Sequence, residues 1–218
     1  MTVVGRVVLA WGAAYLLGSL PAGLIWGWLT RGIDVRRHGS GRTGGTNVWR
    51  SAGFAAAVLT VVSDVLKGIG AIAVGRALSL GGWSLATAGT LAVVGHNYSI
   101  FMKLRGGAGT GTALGVCAGL WFWGLPFVGI AGAAAGLLVG HASVTSILVA
   151  LLLPLAFCLR GEPAYAVGFG LPTMALTLWA LRPNIGRLLR REERFLPIYQ
   201  RRPPMIRICH YPPVSDGG

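Results

Sequence analysis

From Gly106 to Leu159 the chain carries no Lys, Arg, Asp or Glu. Soluble domains carry about 25% charged residues and do not run so far without one. The stretch is therefore read as embedded in a membrane. The rest of the chain agrees, being 54% hydrophobic and 11% charged. In a bilayer the backbone polar groups must be paired inside the protein, so apolar runs of this kind fold as helices. The expected fold is an all-α, polytopic membrane protein.

The polar breaks divide the chain into about seven transmembrane helices: Val4 to Leu29, Ala52 to Leu78, Trp83 to Phe101, Gly109 to Leu125, Phe127 to Val139, Val144 to Leu159 and Tyr165 to Leu181. The apolar run from Val7 to Leu29 is long enough to cross a bilayer core of about 30 Å at 1.5 Å per residue. It is too long for a signal-peptide core and is read as retained. Gly18, Pro21 and Gly23 interrupt it, which a membrane helix tolerates when neighbours take up the freed carbonyls. The Phe127 to Val139 run is short, and a tilted or incomplete span is expected there.

With the N-terminus outside, the inside segments hold every Lys and Arg except Arg6, Lys67, Arg76 and Arg160. That asymmetry argues for a cytoplasmic C-terminus; five spans with the same end orientation remain open. It also accounts for the net charge of +13 without nucleic acid as a partner. Residues 1–195 are expected to form one membrane domain. From Leu181 to Glu193 the pattern fits an amphipathic surface helix with Ile185, Leu188 and Leu189 facing lipid. Residues 196–218 form a basic, Pro-rich tail with little fixed structure expected. Cys117, Cys158 and Cys209 are too scattered for a metal or redox site, and Cys117 and Cys158 read as small hydrophobes. No metal or cofactor is expected.

Two breaks carry chemistry. Arg36 to Arg50 reads R-R-H-G-S-G-R-T-G-G-T-N-V-W-R. Its glycines let backbone N–H groups approach an anion, and Arg presents forked donors that match phosphate oxygens. The other reading is a basic loop that only sets topology. Lys103 to Thr112 is rich in glycine and opens into an apolar helix, the geometry of an anion site at a helix N-terminus. It lacks the Lys and Ser/Thr pair of a Walker A loop, and tight packing through small residues accounts for it equally well. Asp64 and Lys67 share a helix face, and charges at that depth usually pair or line a polar interior. His96 lies just before the second loop, placed for ligand binding, proton transfer or a structural hydrogen bond.

Together these segments resemble the bacterial acyl-phosphate:glycerol-3-phosphate acyltransferases. The resemblance rests on G-S-L-P-A-G at Gly18 to Gly23, H-G-S-G-R-T-G-G-T-N-V-W-R at His38 to Arg50, D-V-L-K-G at Asp64 to Gly68, G-H-N-Y-S-I-F at Gly95 to Phe101, G-G-A-G-T-G-T at Gly106 to Thr112 and N-I-G-R-L-L-R-R-E-E at Asn184 to Glu193. It implies a seven-helix fold in the cell inner membrane with its active face cytoplasmic. It implies transfer of a fatty acyl group from acyl-phosphate to the 1-hydroxyl of glycerol 3-phosphate, forming lysophosphatidic acid for phospholipid synthesis. Acyl-CoA, metal and a covalent acyl-enzyme are not implied. Carried over residue by residue, the resemblance assigns His96, Lys67 and Ser40 to catalysis. It assigns Gly39, Gly41, Thr46, Asn47, Arg50, Gly106, Gly107, Gly109, Thr112, Ser143, Asn184 and Glu193 to substrate binding.

The chain departs from the family pattern. The family usually has Asn at Arg42, Ala at Gly45, Lys at Ala108, His near Leu181 and Gly near Arg191. The missing loop lysine removes a charge, for which Arg42, Lys103 or Arg105 are the available substitutes. Two rivals follow from the same residues: a membrane paralogue that binds a phosphorylated lipid or metabolite without turnover, and a small transporter lined by Asp64 and Lys67.

Overall fold

The computed structural model describes residues 1–199, 205, 206 and 208. The expectations for Cys209 and for most of the 196–218 tail fall outside the described residues. Among those described, the regular structure is helical throughout: α1 (Val3–Ser19), α2 (Ala22–Arg31), α3 (Gly45–Ala52), α4 (Phe54–Ala77), α5 (Gly82–Asn97), α6 (Thr110–Leu120), α7 (Gly124–Val139), α8 (Ala142–Leu159) and α9 (Ala164–Leu189). Four apolar segments are long enough to cross a membrane: the α1–α2 pair, α4, α8 and α9. Their outer surfaces expose Trp28, Phe54, Leu66, Leu155 and Trp179, as helices facing lipid do.

The helices pack through small residues. On α1 and α5, Gly18 lies against the Ala92 backbone and Gly95 against the Tyr15 carbonyl; a Cβ at either would collide. On α4 and α6, Gly68 lies against the backbone from Thr112 to Val116, and Gly115 against Val65. Lipid tails are as apolar as the helices, so close backbone approach replaces the hydrophobic drive between them. The main core then forms from Ile72, Leu85, Val93, Val116, Leu153, Phe157 and Phe169.

The interrupted first segment is explained by its partners. Pro21 follows the end of α1 at Ser19, and side chains from elsewhere in the chain bind the carbonyls at the break. The Ser99 hydroxyl donates to Ser19 O at 2.5 Å, and Lys67 Nζ donates to Leu20 O at 2.7 Å.

Three boundaries differ from the sequence-based expectation. The first loop is not irregular throughout: it holds a 3-10 turn (Val35–Arg37) and the short helix α3, and Gly53, with φ of 95°, separates α3 from α4. The run after Gly109 closes at Leu120, and α7 begins at Gly124 with Pro126 in its first turn, where its missing N–H is not needed. Among the described residues no separate surface helix follows Leu181. Helix α9 continues through Pro183 to Leu189; the proline removes one donor, the one that would serve the Trp179 carbonyl, and the helix runs on past it. Beside that carbonyl, Arg42 donates to the Ala180 carbonyl.

Candidate functional site

The first loop is built around Asn47. This residue sits in the first turn of α3 and is buried. Its Nδ2 lies 3.0 Å from Val35 O, 3.0 Å from His38 O and 2.8 Å from Arg42 O. Its Oδ1 accepts the Ser40 backbone N–H at 3.0 Å. One amide therefore gathers the loop's backbone into a ring. Gly39 completes the ring because a Cβ there would strike Asn47 Oδ1, and its φ of 58° is left-handed. Ser40 and Gly41 remain exposed, and Thr46 is half-buried. Arg36 is matched locally: it donates through Nε and Nη2 to Asp34, and this guanidinium holds the Asp34 carboxyl down at about 2.

A second cluster lies deeper. Lys67 Nζ is 2.6 Å from Asp64 Oδ1, and His96 Nδ1 is 3.5 Å from the same oxygen. All three side chains are buried. The glycine loop wraps this cluster. Gly106 N–H donates to Asn97 O at 3.0 Å and Gly107 N–H to His96 O at 3.2 Å. A Cβ at Gly107 would run into His96 Nε2, and one at Gly111 into Asp64. Gly109, with φ of 84°, caps α6 against the Asn97 side chain. Lys103 and Leu104 hold left-handed φ values of 51° and 60° just before it. Among the described residues, Asn97 Oδ1, Thr110 Oγ1 and Thr112 Oγ1 are buried without hydrogen-bond partners. Native proteins rarely leave such atoms bare, so this is a place for water or a polar ligand.

A third group comes from the C-terminal part. Asn184 Nδ2 donates to Glu193 Oε1 at 3.0 Å, and Arg187 Nε donates to Glu193 Oε2 at 2.8 Å. The chain thus doubles back at the end of α9. His141, the buried N-cap of α8, stacks on Phe195 at 4.5 Å and meets Arg194 O at 3.1 Å. Burial pushes its pKa down, the Arg194 carbonyl and Glu193 oppose that, and Arg50 adds to it. Arg50 donates to the carbonyls of Arg194 and Phe195 at 3.3 and 3.0 Å.

The groups meet along α9. Asn97 reaches Leu176 O at 3.5 Å, and Arg42 reaches Ala180 O. These carbonyls are one turn apart, about 6 Å at 1.5 Å per residue. The glycine loop and the first loop therefore flank adjoining turns of one helix. Of the residues expected in the site, Gly39, Ser40, Gly41, Thr46, Asn47 and Arg50 lie in the first loop and α3. Lys67, His96, Gly106, Gly107, Gly109 and Thr112 lie at the deeper cluster. Asn184 and Glu193 pair at the end of α9, and Ser143 is buried in the first turn of α8, two residues from His141. Sequence reasoning did not place Asn97, Ser99, Arg187 or His141 in the site. Asn97 and Ser99 are polar residues in an otherwise apolar run, which is the signal that was available.

Residues 8–191 match the protein family described as glycerol-3-phosphate acyltransferase. The chain is 40% identical to the glycerol-3-phosphate acyltransferase of Desulforudis audaxviator, over 87% of this chain and 96% of that protein. It is 39% identical to that of Rubrobacter xylanophilus, over 83% and 90%. It also resembles a crystal structure of PlsY (YgiH), an integral membrane glycerol 3-phosphate acyltransferase, in its glycerol 3-phosphate form. The TM-score is 0.82 at 31% identity, covering 87% of this chain and 95% of that one. The lysophosphatidic acid form of the same protein gives 0.80 at 30% identity.

Proposed function

The chain belongs to the glycerol-3-phosphate acyltransferase family, and from that premise we propose that it moves a fatty acyl group from acyl-phosphate to the 1-hydroxyl of glycerol 3-phosphate. The observation that carries this reading is the convergence of the two glycine-rich loops and the basic end of α9. The protein works as a membrane enzyme of phospholipid synthesis with seven crossings, the α1–α2 pair counting as one. Its N-terminus lies outside, and its loops and C-terminus face the cytoplasm from the inner membrane. Residues 1–195 are the working domain, and 196–218 are a tail.

Acyl-phosphate is a mixed anhydride and arrives activated. The hydroxyl oxygen of glycerol 3-phosphate attacks the acyl carbonyl carbon, an ester C–O bond forms, and the anhydride C–O bond breaks. The departing phosphate carries the hydroxyl proton away, giving one lysophosphatidic acid and one inorganic phosphate. The protein's task is to hold two anions close and aim the hydroxyl, and positioning of this kind lowers barriers substantially. The acyl chain lies between helices, where each buried methylene contributes about 0.8 kcal/mol.

The residues divide by what they touch. The exposed Ser40 hydroxyl and the backbone of Gly39 and Gly41 face the ligand, and Asn47 holds them in place. Arg50, Asn184 and Arg187 hold the phosphate side, with Glu193 orienting the last two. Lys67 is committed to Asp64 and Leu20, and His96 to the fold of the glycine loop. Both are read as positioning residues that keep Gly106, Gly107, Gly109 and Thr112 in register, and Ser143 supports the third inner turn.

The donor tests this reading. Purified protein in detergent should form product from palmitoyl-phosphate and none from palmitoyl-CoA. Turnover with palmitoyl-CoA alone would remove acyl-phosphate from the account.

A further inference from the structure

Arg42 stands apart from the other arginines of the first loop. Arg36 is matched by Asp34. Arg42 instead crosses to α9 and donates one Nη2 hydrogen to the Ala180 carbonyl. Its backbone is fixed before the side chain leaves: Asn47 Nδ2 binds its carbonyl at 2.8 Å. The adjacent Thr43 carbonyl packs onto Gly23, where no Cβ would fit. The side chain is therefore aimed rather than loose.

Burial is the main pressure on its charge; Arg187 and Arg182 add to that pressure and Glu193 opposes it. Glu193 is already engaged on both oxygens, by Asn184 and by Arg187. Among the described residues no carboxylate forms an ion pair with Arg42, and its other guanidinium N–H groups meet no acceptor. Leu181, beside Ala180, is buried and apolar, and Ala108 in the glycine loop carries no charge. A guanidinium cannot shed its proton. A half-buried charge without a counter-ion is costly, and its fork matches two oxygens of a phosphate.

We propose that Arg42 supplies a phosphate-binding guanidinium from the first loop, taking the phosphate dianion of glycerol 3-phosphate. This rests on the acyltransferase reading above. The Ala180 carbonyl acts as the rest that holds the fork at the right height.

The test is a split of kinetic constants. Arg42→Gln and Arg42→Lys are purified and checked by thermal unfolding, with Arg6→Gln at the far end of the bundle as a charge control. Losing a charged hydrogen bond corresponds to about a ten- to hundred-fold loss in binding. The proposal predicts that Arg42→Gln raises KM for glycerol 3-phosphate by about that factor with KM for palmitoyl-phosphate unchanged. Arg42→Lys should fall between Arg42→Gln and the unaltered protein, because it keeps the charge and loses the fork. A rise in the palmitoyl-phosphate KM with the glycerol 3-phosphate KM unchanged overturns the proposal and places the guanidinium at the donor. Unchanged KM values for both substrates in a folded variant overturn the proposal, as does a loss of stability that lowers kcat alone. If the unaltered protein shows no turnover, the acyltransferase reading fails separately. Arg42 is then judged by calorimetric binding of glycerol 3-phosphate, which Arg42→Gln must weaken for the proposal to stand.

Discussion

At the scale of single residues, buried polar side chains organise the site more than they decorate it. Asn47 serves four backbone groups. Asn47→Asp turns its amide donor into an acceptor facing three carbonyls, so kcat/KM should drop at least about tenfold and the unfolding midpoint should fall with it. A normal rate would show that the loop orders itself without this residue. Asp64 and Lys67 give a sharper contrast. Removing one member of a buried pair costs about 3–5 kcal/mol, whereas replacing both by apolar residues is often neutral. Asp64→Asn should therefore destabilise by about that amount, and Asp64→Leu combined with Lys67→Met should recover most of it. If the recovered double variant is inactive although its loops are ordered, Lys67 does chemistry and the positioning role is wrong. His141 sets a pH dependence. Its folded pKa is below its unfolded one, so the fold binds fewer protons there and stability falls with acidity. The groups around it are the Arg194 carbonyl, Glu193 and Arg50. Docking of residues 194–196 should be full above about pH 6.5 and weaken as pH falls through the lowered value. Hydrogen-exchange protection of the Leu196 N–H, which bonds Gly140 O at 2.7 Å, reports this directly; protection that rises on acidification contradicts it.

At the scale of elements, close helix approach makes some glycines irreplaceable and leaves others idle. Gly115 lies against the Val65 backbone, whereas Gly12 has nothing near it. Gly115→Val should destabilise by at least about 1–3 kcal/mol through overpacking, while Gly12→Ala should be neutral or slightly stabilising. Equal effects in thermal unfolding would mean that α4 and α6 do not meet as described. The apolar runs showed in sequence because helix-length hydrophobicity is a local property, and the glycine loops showed because their composition is extreme. Helix α3 did not show, since its eight residues lie inside a glycine-rich basic stretch that reads as a loop. The continuation of α9 past Leu181 was hidden for another reason. A proline at Pro183 reads as a stop, yet an interior proline removes one helical bond and need not end the helix.

At the scale of the whole molecule, segments far apart in sequence meet at one end of the bundle. The family resemblance named candidate site residues, but not the contacts that hold them. That Lys67 is occupied by Leu20 O, and that Arg50 is bonded to the returning C-terminal segment, depends on contacts no local pattern contains. The topology makes its own prediction. In a background with Cys117, Cys158 and Cys209 replaced by Ser, a single cysteine in place of Arg37 should be labelled only from the cytoplasmic side. One in place of Gly81 should be labelled only from outside, and labelling of both from the same face would rule out the seven-crossing arrangement. The central claim is turnover, and the most direct measurement is product formation by the purified, folded protein given palmitoyl-phosphate and labelled glycerol 3-phosphate. The account predicts labelled lysophosphatidic acid and inorganic phosphate released one for one. Tight binding of glycerol 3-phosphate with no labelled lipid would contradict it, leaving a phosphate-binding membrane protein in place of an enzyme.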